Sequence, residues 1–308
     1  MDEFNNAVRT LMTQRERKGS EEKIPRRKPV YPMSAERELV RAIVYALNGI
    51  KKVSKPYIER LMEIYSVWYD ENVRMDARMS LSDGIAQILD EYGGAIDDEL
   101  DFDLVSGQVN RAARVAQRTS LYDWKTIVNE ALNLTVDEPF YMETTEDLIT
   151  KWTYDSVSYI KSYPQEYLGK VQEIIQWGYE TKQPMVNVYR RLEKATGDTR
   201  AHARMIARDQ MGTLNCAMTK YEHESMGVSQ YIWVTRHDSR VRECHRTLNG
   251  KVFDWNNPPA MWYVTKSKGI VYSGRYCHPG QDYQCRCVAK PVFEQGAVNA
   301  AIARGAIR

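Results

Sequence analysis

At 308 residues, with 43% hydrophobic and 27% charged side chains, the chain has a globular composition that excludes collagen-like repetition, wholesale disorder and a small disulfide scaffold. Its 43 Lys or Arg against 41 Asp or Glu leave a net charge of +2, too little for a protein devoted to wrapping nucleic acid. No stretch approaches the roughly 20 apolar residues of a membrane-spanning helix and the N-terminus lacks the apolar core of a signal peptide, so neither membrane nor secretion is expected.

Residues 1–33 are expected to form a flexible basic arm, because TQRERKGSEEKIPRRKPVYP carries charge and proline without apolar periodicity. Ser34 can cap a helix carrying Leu39, Val40, Ile43, Val44 and Leu47, which Asn48-Gly49 should end. A second helix follows Lys55-Pro56 with Ile58, Leu61, Met62, Tyr65 and Trp68 on one stripe. A third runs from Ser82 to Gly93-Gly94. Residues 82–103 hold eight carboxylates and no Lys or Arg, a stretch that should repel DNA. Residues 107–132 read as two helices parted near Thr119-Ser120, and residues 145–179 as two more parted at Ser162-Tyr163-Pro164. A short helix from Pro184 to Lys194 precedes a long one from Thr199 to Ser225, which Gly227 should cap in the left-handed conformation.

The period then changes. Gln230–Thr235 alternates as a strand does, Asp238 can cap a helix from Ser239 to Thr247, and Asn249-Gly250 turns the chain into a strand over Lys251–Phe253. A loop with Pro258-Pro259 and Gly274 leads to Cys277-His278-Pro279-Gly280 and a last strand, Gln284–Phe293. The expected fold is mainly α: an elongated multi-helix body followed by a small α+β module stapled by zinc. The corresponding segments are a helical region at 34–135, a central helical region at 136–227, the module at 228–293 and a tail at 294–308.

All five cysteines and all five histidines fall between residues 202 and 287. An odd cysteine count in a chain without a secretory signal points to a metal site or redox chemistry rather than disulfides. If Cys285-Arg286-Cys287 lies on a strand, both sulfurs leave one face and can reach one ion. With His245 and His278 they make a tetrahedral set for structural Zn²⁺, in which Cys244 or Cys277 can replace the neighbouring histidine. The same residues fit small apolar side chains on an inner strand face with no ion. Residues 199–293 hold fourteen basic and seven acidic side chains, so this part alone is a plausible polyanion contact. Arg240, Arg242, Arg246 and Arg286 are its DNA-contact candidates. No HExxH, deaminase signature, GxGxxG, Walker A or GxSxG sequence is present, which argues against an enzyme.

The ordered set Ala203-Arg-Met-Ile-Ala-Arg-Asp-Gln210, Tyr231-Ile-Trp233, Asp238-Ser-Arg-Val-Arg242, His245, Leu248-Asn249-Gly250, His278-Pro279-Gly280 and Cys285-Arg286-Cys287 resembles the Mu F-like minor head proteins of tailed bacteriophages. The likeness covers about residues 140–293. It implies a minor structural protein of the virion, at the capsid interior or portal region after assembly in the host cytoplasm, acting in head morphogenesis, DNA packaging or genome delivery. The implied partners are portal protein, major capsid protein and packaged double-stranded DNA. Asp238, Asn249, Gly250 and Pro279 would then be structural motif positions. The alternative is a zinc-dependent enzyme or DNA-binding module acting on nucleic acid during infection, with His245 and Glu243 as acid or base.

Overall fold

The structure, a computed structural model, describes residues 23–70, 77–196 and 199–293. The first part of the expected arm and the whole expected tail lie outside the described residues. The helices are α1 (Met33–Asp70), α2 (Ala77–Glu99), α3 (Phe102–Leu132), α4 (Glu138–Thr144), α5 (Glu146–Glu180), α6 (Met185–Thr196), α7 (Thr199–Ser225) and α8 (Glu243–Leu248). The strands are β1 (Gln230–Val234), β2 (Val252–Asp254), β3 (Ala260–Thr265), β4 (Gly269–Tyr276) and β5 (Val288–Val292). A mainly helical chain thus ends in a small α+β region, as its periodicities predict.

Several breaks read from local signals do not occur. Asn48-Gly49 and Lys55-Pro56 lie inside α1, Thr119-Ser120 inside α3, and Pro164 inside α5. Propensity is a weak term, and burial of one continuous stripe outweighs it. Ala46, Leu47, Ile50 and Val53 carry the buried face of α1 across the expected stop. Gly49 there is a packing residue, since a Cβ would fall onto Leu100.

The chain forms two compact units. One comprises residues 37–111 and 153–207 and closes around Leu61, Met62, Tyr65, Tyr167, Val171 and Ile175. The other comprises the described parts of 1–36, 112–152 and 208–308, so the expected boundaries at 135/136 and 227/228 both fall inside it. Residues 23–32, expected as a flexible arm, are held there. Lys23 pairs with Phe293, and Asp123 accepts from Arg27 Nε and Val30 N, each at 2.8 Å.

In this second unit β1 is the centre of a three-stranded antiparallel sheet, order β2-β1-β5, with Tyr231 opposite Pro291 and Trp233 opposite Ala289. Tyr231 and Trp233 leave the same face, as period two requires, and both are fully buried. Their core contains Trp255, Leu248, Met261 and all five cysteines, each a free thiol. Helix α7 enters β1 through the expected cap: Gly227 has φ +67, Val228 N donates to His223 O and Gly227 N to Glu224 O.

The loop expected before Cys277 contains the hairpin β3–β4, closed where Gly269 takes φ +65. Aromatic and β-branched residues in WYVT and GIVY were the available signal, and the prolines and Gly274 flank or interrupt it without cancelling it. The last strand is shorter than expected. Gln284 has φ +50 and Cys285 N donates to Asp282 O, so residues 282–287 form a turn and β5 starts at Val288. Helix α8 is shorter too, beginning at Glu243 after Arg242, while Asp238 accepts from Arg240 N in a local turn.

Helix α7 meets the His278-Pro279-Gly280 turn backbone to backbone. A Cβ on Gly212 would stand 2.5 Å from Gly280 O, and one on Gly280, whose φ is +96, 2.6 Å from Gly212 O. Gly212→Ala is therefore expected to lower stability by about 1–3 kcal/mol, read from denaturant unfolding. An unchanged midpoint would mean that the helix and turn separate at little cost.

Candidate metal centre

His245 comes from α8, and Cys285 and Cys287 come from the turn before β5. One ligand atom from each lies within 4.8 Å of the others, and all three residues are buried. Bonds of about 2.3 Å to sulfur and about 2.0–2.1 Å to nitrogen, meeting at tetrahedral angles, set sulfur–nitrogen edges of about 3.6 Å. Both thiols stand 3.7 Å from His245 Nδ1. The three donors and their spacing fit three corners of one tetrahedral ion and leave the fourth open.

The other ring nitrogen is also engaged. His245 Nε2 lies 3.1 Å from Asp282 Oδ2, and that carboxylate is paired with Arg242 and, at 3.0 Å, with Arg275 Nη1. A carboxylate behind a ligating imidazole fixes ring orientation and tautomer, which metal sites routinely require. Burial opposes a charged His245 ring, but the Asp282 and Cys285 hydrogen bonds outweigh it and lift the group to about 9. The Cys287 hydrogen bond and then His245 hold the Cys285 thiol well below its ordinary range, against the effect of burial. The same hydrogen bond and burial raise the Cys287 thiol, so one of the two deprotonations that metal binding demands is favoured in advance and the other is not. By contrast, burial pushes the Cys216 thiol up to about 12, as expected of an inert core residue.

The remaining candidates stand apart from this group. His278 Nδ1 lies 2.8 Å from Tyr231 OH and its ring packs on Trp255 at 4.8 Å, so its polar edge is used inside the aromatic core. Cys244 and Cys277 are buried in the same core, yet neither belongs to the three-donor cluster. Among the described residues the converging set therefore has three members, where the sequence pattern offered four. Cys285 and Cys287 converge through the turn, with Cys287 N donating to Cys285 Sγ at 3.4 Å, rather than by sharing a strand face.

The motif residues have local structural tasks. Asn249 Oδ1 accepts from Thr235 N at 2.9 Å, and Gly250, at φ +80, donates its N–H to Trp233 O, tying the end of α8 to β1. Pro279 is buried in the turn against α7. Arg286 is half-buried and donates to Asp238, Arg242 is committed to Asp282 and Tyr283 O, while Arg240 and Arg246 are exposed. Glu243 is exposed beside buried His245. Sequence reasoning missed Asp282, although an acid three residues before Cys285 was a usable sign of a ligand's supporting partner.

Residues 170–290 match the family described as "Phage Mu protein F like protein", and the resemblance carried by the 203–210, 231–250 and 278–287 motifs holds: this segment is Mu F-like. The chain is also 31% identical over 162 residues to an uncharacterized protein of Haemophilus influenzae, covering 52% of this chain and 33% of that protein. It thus spans about a third of the length of that curated relative. No solved structure matches the chain. No helix among the described residues is long and apolar enough to cross a membrane.

Proposed function

We propose that the protein is a minor head protein of a tailed phage, acting without catalysis in head morphogenesis, DNA packaging or genome delivery through contact with portal protein, capsid and packaged DNA. The Mu F-like segment at 170–290 is the observation that carries this reading. In it, His245, Cys285 and Cys287 hold a structural zinc ion, with Asp282 orienting the imidazole. The ion ties the turn at 282–287 to α8, two pieces some forty residues apart in sequence, in a region whose core is aromatic and sulfur-rich rather than aliphatic.

The reading is tested with the full-length chain, because residues 112–135 belong to the same compact unit as the metal centre and truncation at 135 would cut through it. Tagged protein expressed with the other head components should be recovered in purified heads, and cross-linking there should join it to portal protein. Its absence from purified heads would overturn the proposal.

A further inference from the structure

A cavity of about 280 Å³ opens directly over the thiol–imidazole cluster, with His245, Cys285 and Cys287 among its lining residues. The rest of its wall is mostly guanidinium: Arg208 from α7, Arg236, Arg240 and Arg242 from the β1–α8 connection, and Arg286 from between the two cysteines. Asp238 is the single carboxylate in that wall. From this geometry we infer that the cavity is a binding site for a phosphoryl group, taken either from a nucleic-acid backbone or as free phosphate or nucleotide.

The charge count carries the inference. With Arg275 beside them the five guanidinium groups make six, and they meet four carboxylates: Asp238 and Asp282, each shared among several partners, Glu36, and Asp209, which lies within electrostatic reach of Arg208 and Arg242. Asp238 Oδ2 serves both Arg240 at 2.9 Å and Arg286 at 3.2 Å. Asp282 serves Arg242 and also Arg275 and His245. Glu36 lies 3.5 Å from Arg208 Nε, and that buried nitrogen has no hydrogen-bond partner, while Nη1 of the same group donates to Gln284 Oε1 at 3.3 Å. Arg236 forms no ion pair among the described residues. The cavity thus holds an uncompensated excess of about two positive charges, the complement of a phosphate dianion or of two successive phosphodiesters.

A merely solvated basic face would let its arginines spread into water. Here Arg208 and Arg286 are enclosed at the cavity wall, while Arg236, Arg240 and Arg242 stand exposed at its rim. The Arg286 side chain is only 8% exposed, set between the two cysteines, and its ion-pair partner Asp238 is shared with Arg240. Guanidinium groups gathered around one cavity suit an anion, because planar donors held in fixed positions match phosphate oxygens with little further ordering. Arg246 is turned away, donating to Ser239 O, so the basic residues of this region separate into those that face the cavity and those that do not.

The test uses full-length protein with inorganic phosphate, a mononucleotide and a short DNA duplex as probes, at ionic strength fixed with sodium chloride. Phosphate should raise the unfolding midpoint saturably where chloride does not. Arg236→Gln/Arg240→Gln, which changes two exposed side chains, should weaken phosphate binding by roughly tenfold or more, while Lys266→Gln/Lys268→Gln on the exposed hairpin turn should leave it unchanged. Arg236→Gln alone replaces the double variant if that proves unstable in chloride. Duplex that competes with phosphate, and whose salt dependence falls by about two ions in the double variant, identifies the backbone as the source. Phosphate or nucleotide binding without competition by duplex identifies a free ligand. Both outcomes support the site. Phosphate no better than chloride, or equal weakening by the lysine variant, overturns it.

Discussion

Cys285→Ser is expected to abolish stoichiometric zinc in the full-length protein. It should also lower the unfolding free energy by about 4 kcal/mol when free zinc stands near a thousand times the dissociation constant of the native site. An ion held by the folded arrangement alone would be felt as stability, so a chelator should reproduce the effect in the native protein. His245→Gln should behave as Cys285→Ser does, since Nδ1 faces both sulfurs at 3.7 Å. Asp282→Asn keeps the three donors but weakens the hold on the ring, and about 10–100-fold weaker metal binding is expected. His278→Gln should keep its zinc, because His278 lies outside the three-donor group and its Nδ1 is engaged with Tyr231 OH at 2.8 Å. Elemental analysis and denaturant unfolding read all four variants. Zinc retained by Cys285→Ser, or lost from a folded His278→Gln, would place the ion elsewhere in the cysteine–histidine core.

That contrast between His245 and His278 shows where the sequence stops being legible. Clustering of cysteine and histidine after residue 202, the change from helical to alternating period near residue 228 and the Gly227 cap all follow from local rules, and the structure carries each of them. What the sequence could not supply was the direction of side chains held by distant partners. His278 turns toward Tyr231 and Trp255 because an aromatic pocket assembled from β1 and the loop after β2 encloses it. Cys285 and Cys287 meet on a turn because Gln284 adopts φ +50 and Asp282 is drawn toward two arginines and a histidine. Likewise Asn48-Gly49, Pro56 and Pro164 are breakers by propensity, and the helices run through them because a continuous buried stripe is worth more than one unfavourable residue. Arg208 could be tied to the arginines after β1 only in three dimensions, since it sits on α7, in a run read from sequence as core helix.

The buried carboxyl of Glu222 should give the protein an alkaline weakness that one substitution removes. Glu222 lies on α7, fully enclosed, and its Oε1 accepts from Ser120 Oγ at 2.6 Å and Tyr141 OH at 2.8 Å. Burial raises it from 4.5 to about 8, and the charge of Asp123, itself held by Arg27, adds to the rise. A carboxyl whose folded value is raised favours the folded state fully below pH 4.5 and loses that contribution as pH climbs toward 8. Each unit costs about 1.4 kcal/mol. Its neighbour His223 works in the opposite sense. Enclosed between Trp124 and Trp255, and accepting from Trp255 Nε1 at 3.0 Å, it is lowered by burial from 6.5 to about 3. Its contribution is complete above pH 6.5 and is lost as pH falls toward 3. The two slopes cancel between pH 4.5 and 6.5, and above 6.5 Glu222 is the one of this pair that weakens the fold, up to about pH 8. Glu222→Gln keeps an acceptor for Ser120 and Tyr141 and cannot ionise. Its stability relative to the native chain should therefore rise by about 3–5 kcal/mol between pH 4.5 and 8. Because every other titrating group is common to both proteins, the difference between their unfolding curves isolates this carboxyl. A difference that stays flat across that range would mean the acid reaches water in the folded protein.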